Sequence, residues 1–297
     1  MYKFIDPKIN SGDKLIIGIG DSYTQGIGAY TDATWKKHNG RIPVYTSDKD
    51  LIKEQYEGSW VNQIQSLMPG WKGLNLGVAG TGNRSALKEL YFHEPTIAKA
   101  SEAVVVYLLS GFERFDFISK EFVSEHAHFE AMWPNYWDTG CKVPELWKAY
   151  ADHVHSDRFM AGEAMLNILE AQMYCQAKGF KLLVISAFDT RFQRRWFDRN
   201  LVQGLFNLKP TGTNIDFIDQ FDWSQAVYPQ GCSTIIHLLT RLEGHDDSMA
   251  EGRFYGHYSK LDFPSEYITT CVHPTRKGHA IIAEEVVKAI KERGYEN

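Results

Sequence analysis

"IIGIGDSYTQGIG", residues 16–28, sets a serine at the corner where an apolar run meets a glycine. Ile16 to Ile19 read as a buried strand, the chain turns at Gly20, and Asp21 and Ser22 follow at once. Two readings are open: the corner is only a turn, or the Ser22 hydroxyl is presented for chemistry. A serine hydroxyl is a poor nucleophile until a neighbouring base takes its proton, and histidine can do that near neutral pH. Two histidine pairs, His126/His128 in "EHAHFE" and His153/His155 in "ADHVHSD", have the H-x-H spacing that puts both imidazoles on one face of a strand, as in some metal sites. No cysteine or carboxylate completes a recognised ligand spacing around either pair, so no metal is expected. A further histidine, His273 in "CVHPTRKGH", stands just before the last helical segment. Cys271 is a poor alternative nucleophile, because neighbours two apart on an extended chain do not readily exchange a proton. "GVAGTGN" (77–83) is rich in glycine, yet neither GxGxxG nor GxxxxGK[ST] occurs, and no nucleotide cofactor is expected.

These residues are spaced along an alternation of strand and helix. Strands are expected at 14–20, 72–80, 102–111 and 180–188, with a weaker fifth at 214–221. The third, "EAVVVYLLSG", is apolar on both faces, as a central parallel strand requires. Helices are expected at 59–68, where Pro69-Gly70 stops the run, and at 83–100 with a break near Pro95. A long helix over 158–178 carries Leu166, Leu169 and Met173 on one face and ends at Gly179. The last, 273–290, buries Ile282, Val286, Ala289 and Ile290. Such alternation predicts an α/β fold, a parallel, about five-stranded sheet with helices on both faces. Function in such a sheet gathers outside the carboxyl ends of the strands. Three strands end in glycine-bearing corners there: "GDSYTQG", "GVAGTGN" and "LLSGFER".

The chain of 297 residues is read as a single domain, 1–297, with insertions at about 112–160 and 188–265. The insertions hold much of the aromatic content ("AMWPNYW", "RRWFDRN", "FDWSQAVYP"). They suit a lid or a sugar-stacking wall, and equally a second small core or a contact surface. A net charge of −5 gives no electrostatic case for nucleic acid. No apolar run approaches the ~20 residues of a membrane span, and the polar start "MYKFIDPKINSGDK" lacks a signal-peptide core. Cys141, Cys175, Cys232 and Cys271 are widely spaced with no CxxC, which reads as free thiols in a reducing, cytoplasmic compartment.

The blocks at the three corners and before the last helix resemble those of the SGNH hydrolases, also called the GDSL family of esterases and lipases. "GDSYTQG" matches the first block, which puts Ser22 at the nucleophile position. "NLGVAGTGN" resembles the second, with Gly80 at the oxyanion glycine. "VVVYLLSGFER" lies where the third, G-x-N-D, belongs. "HPTRKGHAIIAEEV" resembles the last, with His273 at the general base position. The resemblance runs along the whole chain in order, apart from the insertions. It implies a three-layer α/β/α sandwich, no cofactor, and hydrolysis of an ester, with an acylated or acetylated carbohydrate as the substrate. The backbone N–H groups of Ser22 and Gly80 suit the oxyanion that forms.

Two departures bear on mechanism. The family's last block is D-x-x-H, whose aspartate orients the histidine, and Thr270 stands in that place. His273 then needs another partner for its outer nitrogen. A backbone carbonyl is expected first, then Asp262, then Asp246 or Asp247. The third block lacks its asparagine, whose place falls to Phe112 or Glu113. Arg114, held by Glu113, and Asn83 are the candidate replacement donors to the oxyanion, and a structural ion pair is the other reading of Arg114. An arginine here is similar to that in SGNH-like proteins encoded by tailed phages, which implies a phage origin and a virion location. A non-catalytic binding or structural protein, in a homo-oligomer or a virion assembly, is therefore the alternative to an enzyme acting on a small-molecule or glycan ester.

Overall fold

The computed structural model describes residues 8–43, 46–111, 114–118, 129–132, 153, 157–187, 217–246 and 254–296. His126, His128, His155, Phe112, Glu113, Cys141 and Asp247 lie outside the described residues, as does "RRWFDRN". The chain begins with β1 (Lys14–Gly20), α1 (Ser22–Gln25), α2 (Asp32–Lys37), α3 (Lys49–Gly58) and α4 (Trp60–Leu67). Next come β2 (Trp71–Asn75), α5 (Asn83–Phe92), α6 (Glu94–Ile97) and β3 (Glu102–Leu109). A short antiparallel pair, β4 (Phe115–Ile118) and β5 (Phe129–Met132), forms a separate two-stranded sheet. α7 (Asp157–Lys178), β6 (Lys181–Ser186), α8 (Phe217–Gln220), α9 (Ile235–Leu242), α10 (Phe254–Tyr258) and α11 (Arg276–Glu292) complete the order.

The main sheet is parallel, in the order β2-β1-β3-β6. β3 sits at its centre with every residue after Glu102 buried, which explains why its sequence is apolar on both faces. Alternate residues feed two cores. Leu15, Ile17, Ile19, Val105 and Tyr107 pack against Leu87 and Leu90 of α5 and Met165 and Ile168 of α7. Ile16, Val104, Val106 and Leu108 face Trp60 and Ile64 of α4, Ile236 of α9, and Ile282, Val286 and Ile290 of α11. Both faces of the sheet are covered, giving three layers. No described helix is long and apolar enough to cross a membrane.

The sheet has four strands among the described residues, where about five were expected. Residues 217–220 of the expected fifth strand are helical. Along the free edge of β6, among the described residues, only Ala226 makes a parallel bridge, to Val184, and the Val227 N–H donates to the Val184 carbonyl at 2.9 Å. Asp222 accepts from the Ser224 N–H at 3.0 Å and winds 223–225 into a 3₁₀ turn before that bridge. Pro229, two residues after Val227, has no N–H to continue the ladder. β2 also ends early, at Asn75 rather than residue 80, because the Asn75 Oδ1 accepts from the Gly77 N–H at 3.0 Å and bends the chain. The long helix turns Leu166 and Met173 outward, 42% and 66% exposed, but buries Leu169 of the expected face, together with Ala164, Met165, Ile168, Ala171 and Cys175. The inner face mixes large residues with the small Ala164, Ala171 and Cys175, and apolar periodicity counted on large residues alone does not reveal it. The inner face of α11 is as expected, with Ile282, Val286, Ala289 and Ile290 all buried.

Candidate active site

The site is assembled at the carboxyl ends of β1, β2 and β3. At the end of β1, Gly20 has φ +152°, and a Cβ there would lie 2.5 Å from the Leu108 carbonyl oxygen. Only glycine lets the strand turn against β3 at this point. Asp21 then caps the single turn of α1: its Oδ1 accepts from the Tyr23 N–H at 3.0 Å. The cap places Ser22 at the first helical position, 4% exposed.

The second corner is tied to the first. Leu76 and Val78 donate to the carbonyls of Gly18 and Gly20 at 2.8 and 3.0 Å, and the Ala79 N–H donates to Gln25 Oε1 at 2.7 Å. Thr81 N–H donates to the Val78 carbonyl at 3.4 Å. Between these two bonded neighbours sits Gly80, at φ +79°. Among the described residues nothing accepts a hydrogen bond from the N–H of Gly80 or of Ser22.

His273 arrives from a tight loop ahead of α11. Ile268 and Pro274 form an antiparallel bridge, and the Thr269 N–H donates to the His273 carbonyl at 2.8 Å. The His273 N–H returns to Thr269 Oγ1 at 3.0 Å. Val272, in the tip, has φ +65°, a strained value for a β-branched residue. The strain is held by two bonds: the Val272 N–H donates to the Thr269 carbonyl at 2.9 Å, and the Tyr23 hydroxyl donates to the Val272 carbonyl at 2.8 Å. Gly28 lies against the same loop, where a Cβ would come within 2.5 Å of the Pro274 carbonyl oxygen.

This loop brings the His273 Nε2 to 2.9 Å from the Ser22 Oγ and the Nδ1 to 2.8 Å from the Cys271 carbonyl oxygen. A carbonyl only accepts, so the Nδ1 carries the hydrogen. Nε2 is left with its lone pair toward the serine hydroxyl, the tautomer a general base requires. Desolvation among the packed loops pushes the His273 pKa down to about 4, against an upward pull from the Asp21 charge and the Cys271 carbonyl, with Arg114 opposing. Beneath it, His279 is fully buried with Nε2 3.4 Å from the Ile27 carbonyl, and burial lowers its pKa to about 3.

Other candidates fall elsewhere. Thr270 Oγ1 donates to the Gly40 carbonyl at 3.3 Å. Asp262 and Asp246 are exposed, and the partner of the His273 outer nitrogen is a carbonyl rather than either acid. Arg114 does not turn its Nη1 to the serine: that nitrogen donates to Asp21 Oδ2 at 2.6 Å and to the Thr81 carbonyl at 3.0 Å. Asn83 is also engaged with the scaffold. Its Oδ1 accepts from the Ser110 N–H at 2.8 Å and its Nδ2 donates to the Ser110 carbonyl at 3.3 Å. Burial raises the pKa of the Cys271 thiol, which sits 3.1 Å from Thr269 Oγ1. The described residues contain no cluster of three or more ligating side chains that could hold a metal. Asp21, Tyr23 and Val272 were not singled out by sequence. Only Asp21 had a signal there, as an aspartate placed to cap the helix that starts at Ser22.

A scan against protein-family models matches none, and a search of curated proteins finds no match. Solved structures similar to this chain include an acetyl xylan esterase, at 13% identity and TM-score 0.39, covering 93% of this chain and 99% of that one. Another is a mutant of an acetyl-xylooligosaccharide esterase from Geobacillus Stearmophilus, at 15% identity and TM-score 0.39, covering 96% of each chain. A member of the lipolytic G-D-S-L family from Veillonella parvula matches at 11% identity and TM-score 0.39, over 94% of this chain and 98% of that one. At this identity and TM-score the likenesses carry no argument, and fold and chemistry are argued from the chain itself.

Proposed function

We propose that the protein is a serine hydrolase that cleaves esters through a Ser22–His273 dyad. The observation that carries the reading is the 2.9 Å approach of His273 Nε2 to Ser22 Oγ, with Nδ1 fixed on the Cys271 carbonyl. In the acyl-transfer step Ser22 Oγ attacks the carbonyl carbon of the ester while its proton passes to Nε2. The negative charge moves to the carbonyl oxygen, where the Ser22 and Gly80 N–H groups are the donors. Collapse breaks the bond to the alcohol oxygen, which takes the proton back from Nε2. Water, deprotonated by the same nitrogen, then releases the acid and restores the serine.

The carbonyl of Cys271 fixes the tautomer but carries no full charge, so it stabilises the imidazolium less than a carboxylate does. The ~10⁴-fold loss seen when a triad aspartate becomes asparagine stems from the wrong tautomer. Here the tautomer is right, and the cost is smaller than that. An acylated or acetylated carbohydrate is the substrate class that the sequence resemblance suggests.

The test is labelling by a fluorophosphonate probe and turnover of 4-nitrophenyl acetate and of acetylated oligosaccharides, beside Ser22→Ala. Labelling and turnover that vanish in Ser22→Ala support the reading. Absence of both in the wild-type protein overturns it and favours a binding protein. Turnover of aryl acetate with none of acetylated sugars overturns only the substrate class.

A further inference from the structure

The buried charges beside the dyad have no part in the steps above. Asp21 is fully buried and the Arg114 side chain is 5% exposed. The Asp21 Oδ2 accepts from Arg114 Nη1 at 2.6 Å and from Ser110 Oγ at 2.9 Å, while Oδ1 caps α1 just behind Ser22. Arg114 Nη1 reaches the Thr81 carbonyl at 3.0 Å, one residue past Gly80. Asn83 fastens the second corner to Ser110 in the third, and the Tyr107 hydroxyl donates to the Asn83 carbonyl at 2.7 Å. One guanidinium therefore joins three strand ends: the corner with Ser22, the corner with Gly80, and the corner after β3.

We propose that Asp21 and Arg114 form a positioning clamp that sets the spacing of Ser22 from Gly80 and keeps the ground beneath His273 electrically neutral. The proposal rests on the dyad reading above. Two properties of the pair support it. A buried, planar guanidinium whose Nη1 meets both the Asp21 carboxylate and the Thr81 carbonyl fixes their spacing in a way that a flexible ammonium does not. The pair also brings opposite charges to His273, and the two act on it in opposite directions: Asp21 favours the imidazolium and Arg114 disfavours it. The titratable groups facing His273 among the described residues are Asp21, Arg114, Tyr23, Cys271 and the buried His279. Of these Asp21 and Arg114 form an ion pair, so removing Arg114 takes the opposite charge away from Asp21.

Charge and geometry are separable by substitution. In Arg114→Gln the Asp21 charge stands alone, and the His273 titration midpoint is expected to move up. In the double variant Asp21→Asn/Arg114→Gln it returns toward the wild-type value. Arg114→Lys keeps the charge but not the planar guanidinium. It should leave the midpoint near wild type while kcat falls about 10²-fold and KM changes by about twofold or less. The readouts are ¹⁵N NMR titration of the His273 ring, kcat and KM on an aryl acetate, and thermal unfolding to show that each variant folds. A midpoint that moves in the same way in all three variants, or in none, overturns the electrostatic part. Unchanged kcat in folded Arg114→Lys overturns the positioning part. The NMR titration needs no turnover: a shifted midpoint in a protein without esterase activity would retain the clamp and refute the hydrolase.

Discussion

The two halves of the dyad are held by different physics. Ser22 stands on a corner fixed by a buried ion pair, Asp21 with Arg114, reinforced by Ser110. The bonds immediately around His273 are neutral: a carbonyl at its Nδ1, a tyrosine hydroxyl on the Val272 carbonyl, and the Thr269 turn. Charge is therefore concentrated under the nucleophile, while the half-buried base is held by neutral partners. A buried pair is sensitive to the loss of either member, because the survivor is left charged and dry. A set of neutral bonds fails in smaller steps, about one polar group at a time. Rigidity of the serine corner and tolerance of the histidine loop follow from that contrast.

The contrast is broken most strongly at Asp21. Asp21→Asn removes one charge of the buried pair and should destabilise the protein by about 3–5 kcal/mol, read from denaturant unfolding. A loss below about 1 kcal/mol would mean that the pair is not held dry. On the histidine side, Tyr23→Phe removes the donor to the Val272 carbonyl and should cost about 1–3 kcal/mol. Because that carbonyl belongs to the strained tip, kcat should drop by about tenfold with little change in KM. Equal effects on kcat and KM would place Tyr23 in substrate binding instead.

Acid should weaken the histidine side first. His273 and His279 titrate at about 4 and about 3 in the folded protein, against 6.5 for a free histidine. As the pH falls below about 6.5 the unfolded chain takes up protons that the folded chain refuses, so stability is full above that value and declines toward pH 4. The melting temperature should fall steadily over that window, and His279→Gln should lessen the slope. Where the fold survives, kcat/KM should hold down to about pH 5, since the base stays neutral. An acid limb near 6.5 would show that the imidazole is not desolvated. The smallest effect is expected from the nearby acids. Asp246→Asn, Asp262→Asn and Glu266→Gln should each leave kcat within about twofold, because none of them meets the His273 ring. A large loss in any one would install a carboxylate partner and reverse the contrast.

What the sequence made legible was decided by side-chain type. The apolar runs of β1, β3 and β6, and the inner face of α11, follow from residues that must be buried. The glycine corners marked the ends where function collects, and Ser22 and His273 stand out because few residue types do that chemistry. The fifth strand misled because "NIDFIDQF" is apolar enough for a strand, yet its latter half is helical and Asp222 winds the following residues into a turn. α7 misled because Leu166 and Met173 face out while Leu169, expected on the same face, is buried with Met165 and Ile168. Arg114 could be read as a donor or as half of an ion pair, and its partner lies 93 residues away. The Cys271 carbonyl is backbone, which every residue carries, so nothing in residue type marks it as the partner. The positive φ of Val272 is equally invisible, since valine is among the residues least expected there.

The carbonyl at the outer nitrogen is the centre of this account, and its direct test is the tautomer of His273. The ¹⁵N and ¹³C shifts of the ring, recorded at pH 7 and assigned by comparison with His273→Asn, report which nitrogen bears the hydrogen. The expected result is a neutral ring protonated at Nδ1, with Nε2 bare toward Ser22. A ring protonated at Nε2, or one doubly protonated at pH 7, would contradict it.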